Sequence, residues 1–216
     1  MASVLSLDHV CPDTLPVHAH GFSQVWNQEL AFRKGEQVLV TAPSGKGKST
    51  FIALLYGLRR DYTGSYRIDG KDSRQLSAAD WSDLRAHHLS IVFQDLRLFM
   101  DYTVLQNLAI KSKLDEASLG LDRAREMAVL LGIEPLLDRK CGSLSYGERQ
   151  RVAIIRGLLQ PADFRIMDEP FSHLDENNTA LALDLIVSEC KARESGLIIT
   201  SLGPDYGWFY DRIVLL

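Results

Sequence analysis

The chain has 216 residues, with 24 Lys and Arg against 28 Asp and Glu and a net charge of −4. Apolar residues make up 46% and charged residues 24%, which excludes disordered, collagenous and disulfide-scaffold classes and leaves one large globular domain, or a core with a small inserted subdomain. The slightly acidic balance argues against a dedicated nucleic-acid binder, and no apolar run approaches the roughly 18–20 residues of a membrane span.

The first ten residues carry Asp8 and no basic n-region ahead of an apolar stretch, so they do not read as a secretory signal. Pro12 and Pro16 predict a first strand that is short or interrupted. Leu30, Phe32, Val38 and Val40 alternate with polar residues around the turn at Lys34-Gly35-Glu36, which reads as two strands. A helical pattern runs from Lys48 to about Gly57. Turns at Thr63-Gly64 and Asp69-Gly70 bracket a short strand, Ser65 to Ile68. Trp81 to Leu84 reads as a short helix, His87-His88 as an exposed loop, and Leu89 to Phe93 as a buried strand.

From Thr103 to about Leu159 the pattern is helical, clearest over Asp122–Leu131 and Gly147–Leu159. Phe164 to Met167 is a predicted strand, Glu176 to Arg193 a long amphipathic helix, and Leu197 to Thr200 and Ile213 to Leu216 further strands, with no regulatory domain expected beyond the last. Strands alternating with helices at these lengths argue for an α/β fold with a largely parallel sheet. Residues 96–158, helical without a strand, are read as a subdomain inserted into a core formed by 1–95 and 159–216. Cys11, Cys141 and Cys190 show neither metal-site spacing nor an even disulfide framework, which fits a reducing compartment. The six histidines show no metal spacing either.

The segment Ala42-Pro43-Ser44-Gly45-Lys46-Gly47-Lys48-Ser49-Thr50 follows a strand and opens a helix. It matches the phosphate-binding loop except for Ala42 at the first glycine, a pattern expected by chance in on the order of one chain in a hundred. Small residues let backbone N–H groups turn onto phosphate oxygens, and the helix N-terminus adds partial positive charge. Lys48 places a cation at the β- and γ-phosphates, and Ser49 offers a hydroxyl to Mg²⁺. Ala42 fits if its φ is negative and strains the loop by about 1 kcal/mol if it is positive. Downstream, the strand over Phe164–Met167 ends in Asp168-Glu169-Pro170. There Asp168 can orient a Mg²⁺ shell and Glu169 can polarise an attacking water. Arg165 interrupts that strand and is expected to face solvent or snorkel at an edge.

These residues resemble those of the ATP-binding cassette (ABC) transporter ATPases, over roughly Leu30 to Leu216. Leu144-Ser145-Tyr146-Gly147-Glu148 resembles the family signature, with Tyr146 where glycine is usual and Glu148 where glutamine is usual. Gln94 resembles the glutamine of the Q-loop, and Ser172-His173-Leu174-Asp175 the D-loop. The stretch from Ile91 to Asn107 is similar to the lipoprotein-releasing, macrolide-efflux and cell-division branch of bacteria.

The resemblance implies a P-loop NTPase (RecA-like) core with an N-terminal antiparallel β subdomain and an inserted α-helical subdomain. It implies ATP and Mg²⁺ bound by residues 42–50 and Gln94, with Ser49, Gln94 and Asp168 around the metal and Glu169 as general base. Two cassettes, expected to be copies of one chain, close head to tail, so that Ser145 and Gly147 of one complete the site of the other. Transmembrane permease subunits, and no nucleic acid, are the other implied partners. The expected place is cytoplasmic, peripheral on the inner face of the membrane.

Two places depart from the family. Ser201 stands where a histidine usually reaches the γ-phosphate; because a donor aimed at developing charge is worth about 3–4 kcal/mol, hydrolysis is expected to be slow or to lean on a partner, while ATP binding survives. The aromatic that stacks on adenine has no clear counterpart: an imidazole at His18 or His20, or Phe22, could serve, or the segment is a solvated loop. Tyr146 places bulk near the neighbouring γ-phosphate or points aside. Leu96, Leu98, Phe99 and Met100 are either core or a partner surface near the coupling groove. A second reading, an ATP-dependent switch of the cell-division type that transports nothing, is modestly favoured by Ser201, Tyr146 and Ala42. A chromosome-maintenance ATPase would need sustained heptads between the nucleotide motifs, and none is present.

Overall fold

The computed structural model describes residues 2–14, 23–43, 45–113, 117–203 and 205–216. Two sheets form. One is antiparallel, in the order β2(Glu29–Arg33), β1(Val4–Pro12), β4(Tyr62–Ile68), β5(Lys71–Asp72). The other is wholly parallel, in the order β6(Leu89–Val92), β7(Phe164–Asp168), β8(Gly196–Ser201), β3(Gln37–Thr41), β9(Arg212–Leu215). The two strands read on either side of Lys34-Gly35-Glu36 therefore belong to different sheets. β1 is longer than expected, and its irregularity is a register shift between Asp8 and Cys11.

The helices are α1(Lys48–Leu55), α2(Ala78–His87), α3(Val104–Ser112), α4(Leu121–Leu130), α5(Tyr146–Leu159) and α6(Glu176–Ala192). α2 is longer than its apolar pattern indicates because Ser77 and Asp80 form a reciprocal cap at its start. Between β6 and β7 the described residues hold α3, α4 and α5 and no strand beyond an isolated bridge, Thr103 to Lys140.

Strand alternation sorts the core. On β8, Leu197 and Ile199 face a cluster built with α3–α6, whereas Ile198 faces α1 and the antiparallel sheet. β7 divides likewise, with Met167 on the first face and Phe164 and Ile166 on the second. The ends of α4 and α6 are joined by an ion pair of Arg123 with Glu189, which is buried.

Two sequence expectations are corrected. Arg165 does not face solvent: it is fully buried in β7, and its guanidinium donates to the carbonyls of Gly157 at 2.9 Å and Gln160 at 3.2 Å. These carbonyls end α5 and have no intrahelical donor, so a cation at the helix C-terminus satisfies them. Burial pulls the Arg165 pKa down to about 10. The pair His87-His88 is not a loop either. His87 closes α2, and His88 lies 2.6 Å by Nδ1 from Asp163, which also receives Lys34 Nζ at 2.6 Å and the Ala2 N–H at 2.7 Å.

Replacing Arg165 by Ala leaves a cavity and strips the Gln160 carbonyl of its guanidinium donor, while the Gly157 carbonyl keeps the Ser90 hydroxyl at 2.7 Å. The expected loss is about 3–5 kcal/mol in urea unfolding; a loss under about 1 kcal/mol is inconsistent with this role.

Candidate functional site

In the parallel sheet, β3, β7 and β8 are adjacent and β6 lies beyond β7, so the turns after all four open at the same carboxyl edge. Open α/β sheets bind ligands there. Among the described residues the turn after β3 holds 42, 43 and 45–47. Gly45 has φ 79° and Gly47 has φ 93°, conformations that side chains resist. Ala42 is buried and is not in the left-handed region, so the missing glycine costs the loop no backbone strain. Gly47 caps α1 without any side-chain acceptor, which leaves the helix N-terminus to an incoming anion.

Lys48 is 6% exposed. Its ammonium donates to the carbonyls of Ala42 at 2.9 Å and Pro43 at 3.2 Å, and lies 3.4 Å from the Glu169 carboxylate. Glu169 follows β7 with φ 48°. Its N–H donates to Thr200 Oγ1 at 3.2 Å, and the Thr200 hydroxyl donates to Asp168 Oδ1 at 2.7 Å. Thr200 thus fixes both acids across the register pair Asp168–Thr200. Gln94 Nε2 reaches Glu169 Oε2 at 3.4 Å.

A cavity of 390 Å³ is lined by Gly45, Gly47, Lys48, Ser49, Thr50, Gln94 and Glu169, together with Thr14 and Leu202. An adjoining recess of 240 Å³ brings Ser49, Gln94 and Asp168 together. Lys46 is exposed. Ser44, and the stacking candidates His18, His20 and Phe22, lie outside the described residues. Ser145 and Gly147 do not line the cavity. Ser145 caps α5: its Oγ accepts the Glu148 N–H at 3.3 Å, and Glu148 accepts the Ser145 N–H at 2.7 Å. That backbone hydrogen bond, with one from the Ser145 hydroxyl, holds the Glu148 carboxyl below its usual range.

The sequence model of the ABC transporter family matches residues 25–172. The chain is 38% identical to the lipoprotein-releasing system ATP-binding protein LolD of Buchnera aphidicola, over 73% of this chain and 69% of that one. It is 34% identical to LolD of Chromohalobacter salexigens, over 87% and 80%. A solved dimeric structure of MJ0796, a bacterial ABC transporter cassette, has the same fold, with a TM-score of 0.84 and 23% identity over 98% of this chain and 94% of that one. The chain belongs to the ABC transporter family.

As an ABC ATPase it shows how its departures fit. Glu148 at the signature serves the helix cap. Tyr146 points aside, donating from its hydroxyl to the Gln94 carbonyl at 2.7 Å. Ser201 ends β8, is fully buried, and accepts the Gly203 N–H at 3.2 Å. The Tyr206 phenol reaches Ser201 as well; burial pushes that phenol up, and the Ser201 hydrogen bond pulls it partly back. Leu202, not Ser201, lines the cavity. Thr200 and Tyr206 escaped sequence reading. A threonine inside a strand carries no motif, and only the β7–β8 register puts it against Asp168.

Lys48→Ala removes the cation and leaves the Glu169 carboxylate with the Gln94 amide at 3.4 Å. ATP affinity is expected to fall at least about a hundredfold, measured by titration with a fluorescent ATP analogue, while circular dichroism stays native.

Proposed function

We propose that this chain is the ATP-hydrolysing subunit of a bacterial ABC transport or extrusion complex, working as a pair of copies beneath transmembrane permease subunits. The observation that carries the reading is the meeting of Lys48, Gln94 and Glu169 around one cavity at the glycine-capped start of α1. The signature residues Ser145 and Gly147 stand outside that cavity, which supports their completing the site of a second copy.

The phosphates enter at Gly45–Thr50, and Lys48 exchanges its Glu169 partner for them. Freed, the Glu169 carboxylate accepts a proton from the water that attacks the γ-phosphate. Mg²⁺, when bound, neutralises charge on the β- and γ-phosphates. The Ser49 hydroxyl, Gln94 amide oxygen and Asp168 carboxylate are hard oxygen donors that suit it. With only one carboxylate in the set, the ion would be held together with the substrate's own oxygens rather than in a protein cage.

The permease would meet the exposed stretch after Gln94. Leu96 and Leu98 are buried in the core, whereas Phe99, Met100 and Tyr102 are exposed, with the Phe99 and Tyr102 rings stacked at 5.4 Å. Buried Asn107 bonds both the N–H and the carbonyl of Phe99, so this apolar surface is held rigid. No helix among the described residues is long and apolar enough to cross a membrane. A peripheral position on the inner face of the membrane follows from the permease reading.

Hydrolysis is slow in this proposal, because the Ser201 hydroxyl is engaged with Gly203 and Tyr206 rather than aimed into the cavity. Isolated protein should turn over slowly, and Ser201→Ala should change kcat by less than about threefold. Fast turnover by the isolated chain would count against it. Glu169→Gln should bind ATP, lose at least about a hundredfold in kcat, and accumulate as an ATP-bound dimer in gel filtration. Hydrolysis by Glu169→Gln at the wild-type rate would remove Glu169 from its role.

A further inference from the structure

Tyr146 is half-buried between two loops of its own chain. Its hydroxyl donates to the Gln94 carbonyl at 2.7 Å, and its ring centroid lies 4.1 Å from that of the His173 imidazole. The Arg149 guanidinium stands 5.2 Å from the same ring. The next residue, Gly147, is wedged against the loop that carries His173: a Cβ there would sit 2.9 Å from the His173 carbonyl oxygen. One turn further on, Gln150 is 1% exposed, donates to the Glu169 carbonyl at 3.1 Å and accepts the His173 N–H at 3.2 Å.

The start of α5 therefore has two kinds of attachment. Gln150 and Gly147 seat it on the backbone that follows β7. Tyr146 alone among these residues ties it to Gln94, and Gln94 is half of a weak pair inside the cavity, 3.4 Å from Glu169. A ligand that takes Lys48 away from Glu169 disturbs that pair, and Gln94 must find new partners. A glycine at this position would have no arm with which to feel the change. The phenol has one, anchored on the backbone of Gln94 and braced by His173 behind it.

We propose that Tyr146 is a positioning residue, a strut that carries the rearrangement of Gln94 on ATP binding to the start of α5 and so sets how Ser145 and Gly147 are offered to the second copy. The proposal rests on the paired-ATPase reading above. One neutral hydrogen bond can bias such a two-state arrangement by about fivefold. The seat on His173 remains when only the hydroxyl is removed.

The test compares Tyr146→Phe, which keeps the ring, with Tyr146→Gly, which removes ring and hydroxyl. Each is made alone and in the Glu169→Gln background. ATP affinity is measured with a fluorescent analogue at a dilution where the chain is monomeric, and ATP-driven dimerisation by sedimentation of the Glu169→Gln proteins. For Tyr146→Phe the expected result is an ATP affinity within about twofold of the parent, dimerisation weakened about fivefold, and a kcat reduced about fivefold at nearly constant KM. Tyr146→Gly should weaken dimerisation at least as much. Dimerisation and kcat in Tyr146→Phe equal to the parent, with only Tyr146→Gly impaired, would make the side chain a space-filler and overturn the strut. A raised KM with unchanged kcat would overturn it too. If the parent Glu169→Gln protein itself neither binds ATP nor dimerises with it, the ATPase reading fails first, an outcome distinct from a silent hydroxyl.

Discussion

A lysine ammonium with little access to water governs this site. Lys48 is buried among two backbone carbonyls and one carboxylate, and a buried cation persists only when it is paired. Before nucleotide arrives the protein supplies the pair itself, through Glu169. The contact keeps the cation in place at the start of α1, and in the function proposed above a triphosphate would displace the Glu169 carboxylate from it. Much of the remaining architecture serves to bring those two charges to one point: the left-handed Gly45 and Gly47 that curl the loop, the positive φ at Glu169, and the Thr200 hydroxyl that steadies Asp168.

The sheet order turns that local constraint into a site. β3, whose following loop leads to Lys48 at the start of α1, and β7, with Glu169 just past its end, are separated by β8 alone, and β6 flanks β7 with Gln94 just beyond its end. Four loops distant in sequence thereby share one edge. Their mutual positions are rigid because both faces of the sheet are packed: Leu197 and Ile199 against α3–α6, Ile198 against α1 and the antiparallel sheet. Even the polar intrusions strengthen this. Arg165 closes the C-terminal carbonyls of α5 from beneath, and Asp163 gathers Lys34, His88 and the Ala2 N–H at the opposite edge.

The signature segment shows a departure absorbed by local chemistry. Glutamate serves as the reciprocal cap for Ser145 as well as glutamine does, because the cap needs only an acceptor reaching back to the N–H. Tyr146 is bonded through its hydroxyl to the Gln94 carbonyl of its own chain. The serine that ends β8 is a deeper change. Its hydroxyl is engaged with Gly203 and Tyr206, and Leu202 lines the cavity instead.

The sequence by itself determined which segments are strands and helices wherever period and turn chemistry agree. It determined the phosphate loop, the acidic pair and the signature, because each of these is a run of neighbouring residues whose spacing is the mechanism. The family match over residues 25–172 spans those same runs. Tertiary structure decided whatever depends on a partner far along the chain. It put the strands either side of Gly35 in separate sheets, buried Arg165 under α5, gave His88 to Asp163, and split Leu96 and Leu98 from Phe99 and Met100. It also set Thr200 against Asp168 and Tyr146 against Gln94. Periodicity reports which face of an element is apolar, but the register between strands and the seating of helices settle which side chains meet, and those are properties of the packed core as a whole.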